Sequence, residues 1–481
     1  MTAPRLAYMR HERQLTATAV QAGARLDRLP ATRFHRRVVW IVGLSIFFDF
    51  FDAAMAGALV GGFLSSHWST VRQNTLFLAA TGVGGVVGNV AAGWFADHRG
   101  RRAALRTALA LVGITTLASA AAPSMTLITV LRFISMVGIS AIPTIGFSTL
   151  AELMPPEARG RWNSLGGALA NSATVCAALA GYILIPAGAW RFMFVIPGVA
   201  CLVLWLAARR IPESPRWLEA VGKSAQAERT MDDIEREVAT ALHGVLPPVA
   251  AVHPSRSAPT EGAAPPEVTD SLWRRRWVPR LLLAICIALG ANAAVSTVLT
   301  WLPTILLAQG LTLSNTLERT LLMTLGAPIG ALLGALFADR LGRRRGIASI
   351  AVIAAVLAAL FSVSSSGGLS IVLGFSLLTA LAFLANVVYA VYLPELFPTT
   401  LRVQGAATAA AATKFAFIFL PFAMASLLSQ GGTVAAMGLI EGCLFLVAAS
   451  TLLFGAETAY KPLEVASSES VPEGSRSELA H

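Results

Sequence analysis

Charge is scarce in this 481-residue chain. Asp, Glu, Lys and Arg make up 13% of it, against roughly 25% in an ordinary soluble domain. Hydrophobic residues make up 55%. A soluble fold of this size needs a wetted surface that such a composition cannot supply, so most soluble enzymes are excluded. Cysteine is also sparse: Cys176, Cys201, Cys286 and Cys443 lie in apolar stretches without metal-ligand spacing. They read as small packing residues, with neither a disulfide framework nor a metal site. No His-Glu-x-x-His, Walker loop or Ser/His/Asp constellation occurs, so neither catalysis nor a cofactor is expected. Gly82-x-Gly84-x3-Gly88 resembles a dinucleotide loop only superficially. It lies in an apolar span with no strand before it, and reads as close helix packing.

Long apolar stretches recur along the chain, which predicts a polytopic all-α membrane protein. Twelve spans are expected: 38–64, 74–96, 103–122, 125–151, 163–187 and 190–208, then 278–307, 315–338, 346–364, 369–393, 404–428 and 434–456. They form two six-helix bundles, 38–209 and 278–456. A segment 1–37 without a cleavable signal precedes them, a 210–277 loop joins them and a 457–481 tail follows. The loop has helical periodicity around Met231–Ala241, then a Pro-, Ala- and Ser-rich flexible part, Pro247–Val268. With the N-terminus cytoplasmic, 32 Lys and Arg fall on the inner side and 3 on the outer. This positive-inside asymmetry puts both termini in the cytoplasm. The formal net charge of +11 is therefore topological, and argues against a nucleic-acid partner.

The halves repeat. Gly84, Gly88, Asp97, Gly100, Arg101 and Arg102 recur 242 residues on as Gly326, Gly330, Asp339, Gly342, Arg343 and Arg344. Glu152, Pro155 and Arg159 recur at 243 as Glu395, Pro398 and Arg402, and Glu213 at 244 as Glu457. Parallel repeats place a binding site between the halves near the bilayer midplane, opened to each side in turn.

The loop Gly93-Trp-Phe-Ala-Asp97-His98-Arg99-Gly100-Arg101-Arg102 and its copy ending Asp339-Arg340-Leu341-Gly342-Arg343-Arg344 resemble the signature of the major facilitator superfamily, with Ala335 replacing the first glycine of the copy. A glycine must reverse the chain there, and the acid can take hydrogen bonds from a neighbouring helix N-terminus and release them as the halves rock. Glu152-x6-Arg159, Glu395-x6-Arg402, Pro212-Glu213-Ser214-Pro215-Arg216, Trp301-Leu302-Pro303-Thr304 and Glu457-Thr458 narrow the resemblance to the sugar-porter-like branch. That resemblance implies a monomeric twelve-helix transporter in a bacterial cytoplasmic membrane. It also implies an intracellular charge network that latches the halves: Asp97, Arg101, Arg102, Glu152, Arg159, Glu213, Asp339, Arg343, Arg344, Glu395, Arg402 and Glu457. A solvated loop face is the other reading of those charges.

Charges inside spans are costly and are normally paired or line a cavity. Asp49 and Asp52 share a face of the first span. Arg132 lies in the fourth, Lys414 in the eleventh and Glu441 in the twelfth. Phe48-Asp49-Phe50-Phe51-Asp52 is similar to the Asp-Gly-Phe-Asp pattern of aromatic-acid and metabolite proton symporters, with Phe50 in place of glycine. The resemblance implies proton coupling by Asp52 paired to Arg132. A nearby arginine favours the ionised acid and separation in a desolvated setting favours the protonated one, so protonation can follow conformation. Asp49 as the proton carrier stays open, as does mutual compensation of burial. Lys414 has no mirrored partner in the first half, where the equivalent position is Asn171, so a lone cation there suits an anionic substrate; an ion pair with Asp49 or Glu441 competes. Asn171, Asn292, Asn386 and Tyr389 are the other candidate cavity groups, with polar contacts between helices as their alternative.

No glutamine lies deep in a span, which weighs against a sugar. The expected function is import of a small organic or aromatic acid by proton symport. A proton-antiport exporter of drugs or metabolites, a sugar:proton symporter and a non-transporting sensor on this scaffold are the alternatives.

Overall fold

The computed structural model describes residues 22–242, 244, 246–247, 273–275, 277–337, 342–364, 367–397 and 402–455. These described residues are overwhelmingly helical. In the first half, α1 (22–27) precedes α2 (Arg33–Ser65), α3 (Val71–Arg99), α4 (Arg101–Ala121), α5 (Met125–Leu153), α6 (Pro156–Leu184) and α7 (Phe192–Ala207). Two shorter helices follow, α8 (Pro215–Ala220) and α9 (Ser224–Ala241). The second half holds α10 (Val278–Ala308), α11 (Leu313–Thr324), α12 (Gly326–Phe337), α13 (Arg343–Val363), α14 (Gly368–Asn386), a π-helical turn Val387–Tyr392, α15 (Leu393–Glu395) and α16 (Arg402–Phe454). Gly432, at φ 63°, breaks α16 into the eleventh and twelfth spans.

Helices thus fall on all twelve expected spans, and nine among the described residues are by themselves long and apolar enough to cross a membrane. Their starts have local causes. Thr70 accepts from the Gln73 amide while the Gln73 side chain accepts from the Thr70 amide, and Ser124 and Thr312 cap α5 and α11. At 33 residues, α2 is about 50 Å long, well beyond a hydrocarbon core of about 30 Å, so its basic first turns can extend past that core. Gly100 (φ 92°) and Gly342 (φ 71°) make equivalent reversals before α4 and α13, where a side chain would be strained.

Packing repeats with the sequence. In the first half α2 packs on α6, α3 on α5 and α4 on α5; in the second, α10 packs on α16, α12 on α14 and α13 on α14. Across the halves α2 meets α10, α3 meets α16 and α6 meets α11 and α12. One core runs through both halves, from Met55, Leu59 and Phe77 to Ile287, Trp301 and Met437. A second core belongs to the cytoplasmic part of the first half, and ties Leu26 and Leu29 to Ile234 and Val238 of α9.

Candidate functional site

Asp52 and Arg132 meet where α2 packs on α5. Their side chains are 3% and 2% exposed, and Arg132 Nη1 donates to Asp52 Oδ2 at 2.5 Å. Arg132 Nη2 reaches the Asp52 carbonyl at 3.4 Å, and Nε donates to Thr81 Oγ1 of α3 at 3.1 Å. The guanidinium also lies 5.3 Å from the Phe77 ring centroid. One arginine therefore joins three helices around one carboxylate. Two buried charges survive in a span only when paired and hydrogen-bonded in this way.

Asp49 lies one turn before Asp52 on α2, half-buried, on an aromatic ridge of Phe47, Phe48 and Phe51. Lys414 comes from the other half. Its Cδ lies 3.8 Å from where a Gly85 Cβ would stand, so it reaches α3 of the first half. It is near enough to Asp49 for the two charges to interact, yet no direct ion pair joins Lys414 to Asp49 or to Glu441 among the described residues. The two competing ion pairs are thus not made in this arrangement.

The other cavity candidates are engaged to different degrees. Asn292 Nδ2 donates to Thr413 Oγ1 and its Oδ1 accepts from Ser296 Oγ, each at 2.9 Å. Tyr389, in the π-helical turn, donates to the Ala288 carbonyl at 2.7 Å. These bonds join α10 to its neighbours within the second half. Asn386 is half-buried against Gly334 of α12, and Asn171 is half-buried on α6 with its carbonyl accepting from Thr174.

At the ends that carry the Gly100 and Gly342 reversals the two copies match. Arg101 Nε donates to Glu152 at 2.9 Å and Arg343 Nε to Glu395 at 3.1 Å. Asp97 is 69% exposed and accepts from Arg101 at 3.1 Å. The acid that receives a helix N-terminus is instead Glu213, which accepts from the Arg102 amide at 3.1 Å and packs on Gly100. The reason is position: the 211–214 link runs over the start of α4, while Asp97, still on α3, points to solvent. Arg102 Nη2 donates to the Arg209 carbonyl, and Arg344 Nη2 to the Leu452 carbonyl. Asp339 and Glu457 lie outside the described residues, as do the side chains of Arg159 and Arg402. The ion pairs named here each stay within one half.

The halves meet closely towards the end opposite those reversals. A Cβ on Gly57 of α2 would come within 2.5 Å of the Thr300 carbonyl of α10, and one on Gly82 within 2.6 Å of the Phe417 backbone. Ala58, Ile185 and Leu317 form a small core across the interface. Sequence reasoning missed three features here: Thr81 as a partner of Arg132, the Ser296–Asn292–Thr413 chain, and the docking of 22–37 on α9. In that docking Arg25 pairs with Asp232 and Glu235, Arg28 with Glu235, Arg37 with Glu237 and Asp27 with Arg216, at 2.7–2.8 Å.

Comparison with known proteins extends over nearly the same length. The model of the family described as "Sugar (and other) transporter" matches residues 38–469. The inner membrane metabolite transport protein YdjE of Escherichia coli is 29% identical over 448 residues, covering 92% of this chain and 98% of that protein. The niacin transporter NiaP of Acinetobacter baylyi is 27% identical over 443 residues, covering 92% and 98%. Among solved structures, the xylose transporter XylE from E. coli superposes with a TM-score of 0.71 at 18% identity, covering 90% of this chain and all of that one.

Proposed function

The chain belongs to the sugar (and other) transporter family, within the major facilitator superfamily, and on that footing we propose that it imports a small organic acid, aromatic acids included, by proton symport. Membership makes it a multi-pass membrane transporter of a small metabolite or sugar, from a family of non-enzymes. The choice of an acid rests on one observation. Lys414 reaches across the interface beside Asp49 and has no ion-pair partner among the described residues, which places a cationic side chain where a substrate would sit. A carboxylate bound there would satisfy Lys414 and tie the two halves together. The Phe47, Phe48 and Phe51 ridge offers an apolar wall for a ring. The name of the niacin transporter, an aromatic carboxylic acid carrier, accords with that chemistry.

Asp52 is the proton site in this proposal and Arg132 its partner. With the pair made, the acid is ionised; if the helices separate, the carboxylate is left in a desolvated setting and takes a proton. The latch acids bias the halves between states without touching the cargo. A sugar reading is less well supported, because the Asn292 amide is already bonded at both ends within its own half.

The test is uptake by proteoliposomes under an inward proton gradient, with labelled nicotinate and with xylose. Nicotinate should accumulate, and Lys414→Gln should lower its apparent affinity by roughly 10-fold or more while sparing competition by nicotinamide. Loss of a charged hydrogen bond costs about 1.5–3 kcal/mol. Xylose accumulation without nicotinate accumulation would replace the acid by a sugar. Nicotinate efflux driven by the same gradient would reverse the direction.

A further inference from the structure

A basic cavity lies away from the Asp52–Arg132 pair, on the cytoplasmic face of the first half. It has a volume of about 330 Å³ and lies between the end of α3, the first turns of α4, the 211–214 link, α8 and the start of α9. Arg99, Arg102, Arg106 and Lys223 line it, with Glu213 and Trp217. That is four cations against one carboxylate, and the carboxylate is already committed. Glu213 accepts from the Arg102 and Ser214 amides at 3.1 and 3.2 Å.

The cations have little to bind. Arg102 donates from Nη2 to the Arg209 carbonyl, but its buried Nε has no acceptor. Arg106 is half-buried, its Nε is buried without an acceptor among the described residues, and its guanidinium lies over the Trp205 ring, 5.7 Å from the centroid. Arg209 lies over the same ring at 4.9 Å, and adds charge from behind. Lys223 covers Trp217 at 5.5 Å. Like charges gathered on one hollow are costly, the more so where Arg102 and Arg106 are half-buried with an unbonded Nε, and topology does not require them to converge there.

We infer that this cavity binds a phosphate group, either on the headgroup of an anionic phospholipid of the inner leaflet or as a soluble phosphate. Several guanidinium N–H donors set around a hollow suit the oxygens of a phosphate better than a single carboxylate. The space is large enough for the group and part of its hydration shell. Arg106 stands one turn deeper than Arg102 along α4, which carries the cavity from the cytoplasm towards the headgroup layer. Basic pockets between helices at that level are where anionic headgroups are held. An occupant would bridge α4 to α9, and so brace the cytoplasmic helices against the bundle.

The test follows the thermal midpoint of the purified full chain in detergent during titration with dioleoyl phosphatidylglycerol, inorganic phosphate and dioleoyl phosphatidylcholine. A saturable rise is expected with phosphatidylglycerol, with phosphate, or with both, and none with phosphatidylcholine. A response to phosphatidylglycerol alone assigns the site to lipid; a response to phosphate as well assigns it to the group itself. Arg106→Gln should raise the half-saturating concentration roughly 10-fold or more, and Arg236→Gln on the exposed face of α9 should leave it unchanged. Lys223 is exposed, so Lys223→Gln keeps the fold and should weaken the response if Arg106→Gln fails to express. No saturable response to either phosphate probe overturns the inference. So does an equal response to phosphatidylcholine, or a curve that Lys223→Gln does not move.

Discussion

Asp52 and Arg132 carry opposite obligations. As a buried pair they must stay matched for the bundle to fold, and as a proton site they must come apart in each cycle. Substituting Arg132 alone leaves a buried carboxylate unpaired, a change that costs about 3–5 kcal/mol where the acid stays ionised. Arg132→Met should therefore lower the thermal midpoint sharply, and Asp52→Asn with Arg132→Met should recover much of the loss. A double variant no more stable than the single one would show that the two do not compensate each other. Asp52→Asn alone should abolish pH-driven accumulation yet keep exchange between equal pools, because exchange does not require the empty carrier to return deprotonated. Full accumulation by that variant would move the proton to Asp49. The pair was legible in the sequence because an acid and an arginine inside apolar spans have few reasons to be there. Thr81 was not, since hydroxyls are common in spans and usually bond their own helix, as Thr75 does. The clue was register. The second and fourth spans run parallel, which brings Thr81 level with Arg132, 51 residues on.

At the scale of elements, hydropathy located the spans because each must cover the hydrocarbon core, whatever it packs on. It could not give their rotation, and rotation decides which polar groups meet. Asn292 read as a cavity residue because it is polar and deep; its turn about the α10 axis brings it to Thr413 instead. The same limit hid the role of Glu213, whose contact with the Arg102 amide depends on how the link after α7 crosses the start of α4. The closure between halves depends on glycines meeting backbone, at Gly57 with Thr300 and Gly82 with Phe417. Gly57→Leu should block that closure. A cysteine introduced into the cavity should then label more readily from outside, and transport should fall at least 100-fold. Unchanged labelling would mean that the outer closure does not depend on this contact.

Across the whole molecule, the amino-terminal segment is clamped to α9 by a cluster of carboxylate–arginine bonds. Its arginines had a sufficient explanation in topology, so the sequence offered no reason to seek partners some 200 residues on. Burial raises Glu235, but Arg25 and Arg28 more than offset it and hold the acid below its ordinary value. A lowered acid stabilises the fold above its unfolded pKa of about 4.3, and that contribution fades as pH falls through the folded value. The thermal midpoint of wild type should exceed that of Glu235→Gln by a constant margin above pH 6, and the two should converge below pH 4. A margin that persisted in acid would trace to packing of Leu26 and Leu29. Because the clamp lies wholly on the first half, residues 22–37 travel with that half as one piece. A fluorophore on Arg33→Cys in a chain otherwise stripped of cysteine becomes a needle fixed to one half. Its distance to a label on α9 should stay constant through the cycle, and its distance to one on α13 should sweep with each turnover. The clamp thus makes the start of the chain an indicator of which way the carrier faces.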